Sequence, residues 1–120
     1  MTLAVIFSRA SIGIHAPLVT VETHISQGLP GFTIVGLPET AVKESKDRVR
    51  SAIINSRLTF PTRRITVNLA PADLPKEGGR FDLPIALGIL AASQQIPLDD
   101  LKHYEFAGEL ALSGDLHPIY

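Results

Sequence analysis

Residues 32–53, FTIVGLPETAVKESKDRVRSAI, decide the fold, because the hydrophobic period changes inside them. Phe32 to Val35 is a short β-prone run that reads as a strand. After Gly36-Leu37-Pro38-Glu39-Thr40, the residues Ala41, Val42, Ser45, Val49, Ala52 and Ile53 fall on one helical face. Lys43, Glu44, Lys46, Asp47, Arg48 and Arg50 occupy the other, so the segment is an amphipathic helix. Pro38 suits the start of that helix, where an N–H has no intrahelical partner to lose.

Upstream, Leu3 to Phe7 is an apolar run ended by SRASIG, and reads as a buried strand. From Leu18 to Ile25 the chain alternates, with Val19, Val21, Thr23 and Ile25 on one face and Thr20, Glu22 and His24 on the other. That is a half-buried strand and the expected hairpin partner of the first. Downstream, Phe60-Pro61 breaks the chain, and Ile65, Val67 and Leu69 alternate as a fourth strand. The stretch from Ala70 to Arg80 is a Pro- and Gly-rich loop. Leu83 to Ala92 is apolar all round, which requires a helix buried on several sides. Glu105 to Leu112 reads as a strand, Ser113-Gly114-Asp115 as a turn, and Leu116 to Ile119 as the returning strand.

The order βββαβαββ predicts an α/β (α+β) domain over residues 1–120, a mixed sheet with helices packed on one face. The length fits one domain, and 45% hydrophobic residues suffice for a core. A net charge of -1 excludes a global field for nucleic acid or membrane. No cysteine is present, which removes disulfides and thiolate chemistry and favours a cytoplasmic setting. No signal peptide or membrane-length apolar run appears, so no membrane association is expected. The last residues, Leu116 to Tyr120, are still strand-like, which reads as a chain cut short of a further module.

Chemistry is sparse. The phosphate-cradling string GxxxxGK[ST] is absent, so no ATP site is expected within these residues. His15, His24, His103 and His117 lack metal-ligand spacing, and no metal site is expected. Asp99-Asp100 read as the start of a short helical turn and Glu109 as an outward or loop-capping residue, rather than as an acid/base set with Glu105. Arg63 and Arg64 open the fourth strand, while Lys76 and Arg80 lie in the loop after it. If strand start and loop met at one end of the sheet, these four would form a phosphate-binding patch. Asp73 and Glu77 sit among them, and an ordinary solvated rim is the competing reading.

Two segments are more specific: NLAPADLPKEGGRFDLPIALGIL (68–90) and FAGELALSGDLHPI (106–119). They resemble the Lon-protease-like domain, with its Pro-Lys-acid-Gly loop before a buried helix and a later Gly-Glu-x-x-Leu-x-Gly-x-x-x-Pro hairpin. Pro75-Lys76-Glu77-Gly78 matches the loop; Gly108-Glu109, Leu112, Gly114 and Pro118 match the hairpin. From Leu3 onward the chain is similar to the ComM/YifB family of competence-related, magnesium-chelatase-like AAA+ ATPases.

That resemblance implies a longer protein, with this domain first, then an AAA+ module using ATP and Mg2+, then a C-terminal region. It implies ring-forming homo-oligomers and ATP-driven DNA branch migration during natural transformation. It also implies that the Lon nucleophile position is Arg80, which cannot act as one. No catalytic residue is assigned, and this domain is expected to be non-catalytic, an accessory or assembly part with DNA contact through Lys76, Arg80, Arg63 and Arg64. Two alternatives stand: a protein-interaction module without DNA contact, and a Ser-Lys-type protease using a relocated Ser93 or Ser113.

Overall fold

The computed structural model describes residues 2–74, 76 and 79–118. It begins with the expected hairpin: β1 (Thr2–Arg9) runs antiparallel to β2 (Leu18–Ser26), in register from Thr2↔Ile25 to Arg9↔Leu18. The turn between them is pinched by Ile12 and His15, with Gly13 at φ +58 just inside. β3 (Gly31–Val35), α1 (Glu39–Asn55) and β4 (Arg64–Ala70) then form a parallel β-α-β unit. β4 also pairs antiparallel with β2, which gives the mixed sheet order β1-β2-β4-β3.

Alternation along the strands puts Ala4, Ile6, Val19, Val21, Ile25, Ile34, Ile65, Val67 and Leu69 on one buried face. Both helices cover that face. α2 (Asp82–Ala92) lies across β1 and β2, and α1 packs on β3 and on α2. With no polar stripe, α2 must be enclosed, and Ile85 and Ile89 are completely buried. Gly88 sets how close α2 comes to the sheet, because a Cβ there would collide with the Thr23 hydroxyl on β2. The uncovered face is polar along its middle, where Asn68 Nδ2 donates to Glu22 Oε1 at 2.9 Å across the β2–β4 pair.

The helix termini are set by local hydrogen bonds. Pro38 has extended dihedrals (φ -58, ψ 147), and its carbonyl accepts the first helical bond of α1, from the Val42 N–H at 3.0 Å. Both helices end in a Schellman arrangement. Leu58 N–H donates to the Ile53 carbonyl and Arg57 N–H to that of Ile54; Gln95 donates to Leu90 and Gln94 to Ala91. Arg57 and Gln94, both at φ 63, take the left-handed position usually given to glycine.

The C-terminal third departs from expectation. Only β5 (Glu109–Leu110) forms where a strand from Glu105 to Leu112 was expected, and it pairs with β6 (Leu116–His117). Ile119, at the end of the expected return strand, lies outside the described residues. The cause of the interruption is backbone bonding at Gly108, whose N–H donates to the Arg80 carbonyl while its carbonyl accepts from Leu83 N–H. Those bonds pull the chain onto the start of α2. Before the break, Glu105 makes a lone parallel bridge to Phe7. Asp99-Asp100 do precede a short helical turn, the 3-10 turn Leu101–His103.

Candidate functional site

Sheet topology decides which basic residues can act together. Arg63 and Arg64 stand at the start of β4, whereas Lys76 and Arg80 follow its end. At about 3.3 Å per residue, the strand holds the two pairs roughly 20 Å apart. The single patch considered from sequence therefore does not form, because the loop and the strand start lie at opposite sheet ends.

At the loop end, Lys76 is folded inward and only 3% exposed. Its Nζ donates to the carbonyls of Pro71 at 2.6 Å and Leu74 at 2.8 Å, closing the loop on itself. Burial lowers the ammonium pKa, partly opposed by the Asp73 carboxylate. Two of its three N–H groups are thus spent on the loop's own carbonyls. Arg80 Nη1 is 3.5 Å from the Arg9 carbonyl, and Arg9 makes a two-pronged pair with Glu105 at 2.9 and 2.7 Å. Pro75, Glu77 and Gly78 of the quoted loop motif lie outside the described residues.

The opposite end gathers more cations than sequence reading assigned to it. Arg63, Arg50, Phe32, Phe60 and Ile54, together with Pro30 and Pro61, line a cleft of about 260 Å³ beside the edge strand β3. The two rings stand 5.4 Å apart, tilted by 47°. Lys46 Nζ lies 5.8 Å from the Phe32 centroid, and the Arg50 guanidinium lies 5.3 Å from that of Phe60. Among the described residues, no Asp or Glu lines the cleft. Arg64 opens β4 on its exposed side, in register with Ser26 of β2. Lys46, Arg50, Phe32 and Phe60 were missed because the cations read as the polar face of a helix, Phe32 as part of a strand and Phe60 as a chain break. The available signal was the Lys46–Arg50 pair, four residues apart on one helical face.

A third cluster is buried and closed. Asp82, 1% exposed, accepts from Ser45 Oγ at 2.7 Å, Arg48 Nε at 2.6 Å and the Leu110 N–H at 3.1 Å. Its carboxylate ties together α1, the start of α2 and β5. Hydrogen bonding to Asp82 raises the Arg48 pKa above its ordinary value, against the opposing effect of burial. With its carboxylate bonded to Ser45, Arg48 and the Leu110 N–H, this cluster is a structural junction.

Among the described residues, neither serine raised as a nucleophile is hydrogen-bonded to a lysine or histidine. Ser93 Oγ donates to the Ile89 carbonyl at 2.8 Å and accepts from Gln95 Nε2 at 2.9 Å; Ser113 Oγ faces Asp115 at 3.1 Å in an exposed turn. Among the described residues, no three His, Cys, Asp or Glu side chains come together as a metal site. The described helices include none long and apolar enough to cross a membrane.

The fold and its clusters define an α/β domain with a basic, aromatic edge and, among the described residues, no serine hydrogen-bonded to a lysine. Residues 21–120 match the family described as subunit ChlI of Mg-chelatase, and the chain belongs to that family. It is 64% identical over 120 residues to competence protein ComM of Haemophilus influenzae, covering 100% of this chain and 24% of that protein. It is 62% identical over 119 residues to the uncharacterized protein YifB of Salmonella typhimurium, covering 99% of this chain and 24% of that one. An uncharacterized protein of Mycobacterium tuberculosis is 41% identical over the same length, again at 99% and 24% coverage. These matches agree with the ComM/YifB resemblance, and the chain spans about a quarter of the length of the relatives it matches.

Proposed function

We propose that this chain is the non-catalytic N-terminal accessory and assembly domain of a ComM-type AAA+ ATPase, and that it helps guide DNA during branch migration. In this reading, ATP and Mg2+ belong to the ATPase module of the longer protein. That protein works in the cytoplasm as a homo-oligomeric ring.

The observation that supports the non-catalytic role is the chemistry at residue 80. An arginine stands where a Lon-type nucleophile would, and its guanidinium reaches toward the backbone of β1. A serine-reactive phosphonate tests this directly. No label on Ser93 or Ser113 is expected, and stoichiometric labelling of either would revive the protease reading.

DNA contact is tested by titrating labelled single-stranded and duplex DNA at two salt concentrations. Phosphate neutralisation by Z cations predicts a log–log salt slope near −0.9Z for duplex. Arg63→Ala plus Arg64→Ala should flatten that slope more than Lys76→Ala, because Lys76 is turned inward. A domain that binds neither DNA form at high micromolar concentration removes the DNA role.

A second reading, a protein-interaction module without DNA contact, is favoured by apolar side chains at loop tips. Ile14 is 96% and Leu29 83% exposed. It predicts self-association at high concentration, lost on Ile14→Ser, without salt-dependent DNA affinity.

A further inference from the structure

We propose that the cleft between β3 and α1 is a binding site for single-stranded nucleic acid, with Phe32, Phe60 and Arg50 taking the bases and Arg63 and Lys46 the phosphates. The inference rests on the DNA reading above and moves its principal contact to one end of the sheet.

Four observations converge on this cleft. The first is aromatic exposure. Phe81 shows how this fold treats a core ring, at 1% exposed, whereas Phe32 and Phe60 both remain partly uncovered and border an open cleft. The second is the placing of the cations. Lys46 and Arg50 are like charges four residues apart, a spacing that weakly destabilises a helix, yet each sits over a ring. A guanidinium over a phenyl ring extends the flat surface and adds charge to it.

Third, these cations are uncompensated. Lys46, Arg50, Arg63 and Arg64 have no ion-pair partner among the described residues, and the nearby Glu44 is directed to Arg48 instead. Fourth, the lining backbone is restrained: Pro30 and Pro61 line the cleft with fixed φ, and Gly31 N–H bonds the Arg63 carbonyl at 3.3 Å, tying β3 to the start of β4.

Flat apolar faces beside positive charge, with no carboxylate among the described lining residues, suit a polyanion that presents flat rings. Single-stranded nucleic acid does so, because its bases are unstacked and can lie on aromatic and guanidinium surfaces. A duplex keeps its base faces hidden and offers only phosphates. An acidic peptide would satisfy the cations and leave the rings unused.

The test compares three probes by fluorescence anisotropy with the 120-residue chain: oligo-dT, an abasic oligomer of equal length and charge, and a blunt duplex. Oligo-dT should bind about tenfold or more tighter than the abasic oligomer, since stacking adds to the shared electrostatics. Phe60→Leu should erase that preference while leaving abasic binding in place, with its fold checked by circular dichroism. Arg50→Glu, an exposed change, should weaken both single strands.

Equal affinity for dT and abasic probes, or a preference that survives Phe60→Leu and Arg50→Glu, overturns this site while the general DNA role stands. Poly-glutamate that competes as well as oligo-dT overturns it in favour of an acidic protein partner. Absence of binding to all three nucleic acids removes both the site and the DNA role.

Discussion

Among the described residues, two guanidinium–carboxylate contacts of almost equal length lie in very different surroundings. Arg48 meets Asp82 at 2.6 Å, with the carboxylate 1% and the arginine 23% exposed. Arg9 meets Glu105 at 2.7 Å, with 45% and 46% of the side chains in water. Both link segments far apart in sequence. The buried pair has surrendered hydration that only its full partner set replaces, whereas water can substitute for either member of the surface pair. Contact distance therefore says little about what each pair is worth; burial and the number of additional partners decide it.

Breaking the buried member should give the largest effect. Asp82→Ala leaves the Arg48 guanidinium, the Ser45 hydroxyl and the Leu110 N–H without their acceptor, and should cost about 3–5 kcal/mol in urea unfolding. Removing both charges sharpens the point. Arg48→Met combined with Asp82→Leu should cost less than Asp82→Ala alone, because no uncompensated charge remains. A double variant less stable than the single would show that the junction stabilises the fold beyond its charge balance.

Ser45→Ala removes one donor and keeps the ion pair, so a loss of about 1–2 kcal/mol is expected from the same unfolding curves. Glu105→Gln should have the smallest effect, a slight fall in Tm that vanishes in high salt. Its pH dependence has a definite sign. Hydrogen bonding to Arg9 lowers the Glu105 pKa. Its contribution is therefore present above the ordinary carboxylate pKa and is lost as pH falls through the lowered folded value. A thermal melt series on the acid side, native against Glu105→Gln, should converge there.

The same contrast explains what could be read from the residues alone. The strands were legible because alternation is local: Val19, Val21, Thr23 and Ile25 are all buried, as their spacing required. The face of α1 was legible for the same reason, with Ser45, Val49, Ala52 and Ile53 inward. Asp82 was not, because its side-chain partners lie 34 and 37 positions upstream, and no local pattern marks them. Lys76 looked like a surface charge since a Pro- and Gly-rich loop gives no hint of which way its side chains turn. The β3–α1 cleft draws Phe32, Arg50, Phe60 and Arg63 from separate segments, so only the assembled β-α-β unit reveals it.

The placing of β4 between β2 and β3 has a consequence for synthesis. β2 ends at Ser26, but its neighbour begins at Arg64, after β3 and α1 have been made. At ribosomal speeds the gap lasts roughly two to eight seconds. Throughout it, the nascent β1–β2 hairpin presents an unpaired inner edge and the apolar row of Val19, Val21 and Ile25. The hairpin is thus the part of this domain with most to gain from a chaperone during translation. A ribosome-stalled chain ending before residue 64 should bind one more readily than a chain released at full length.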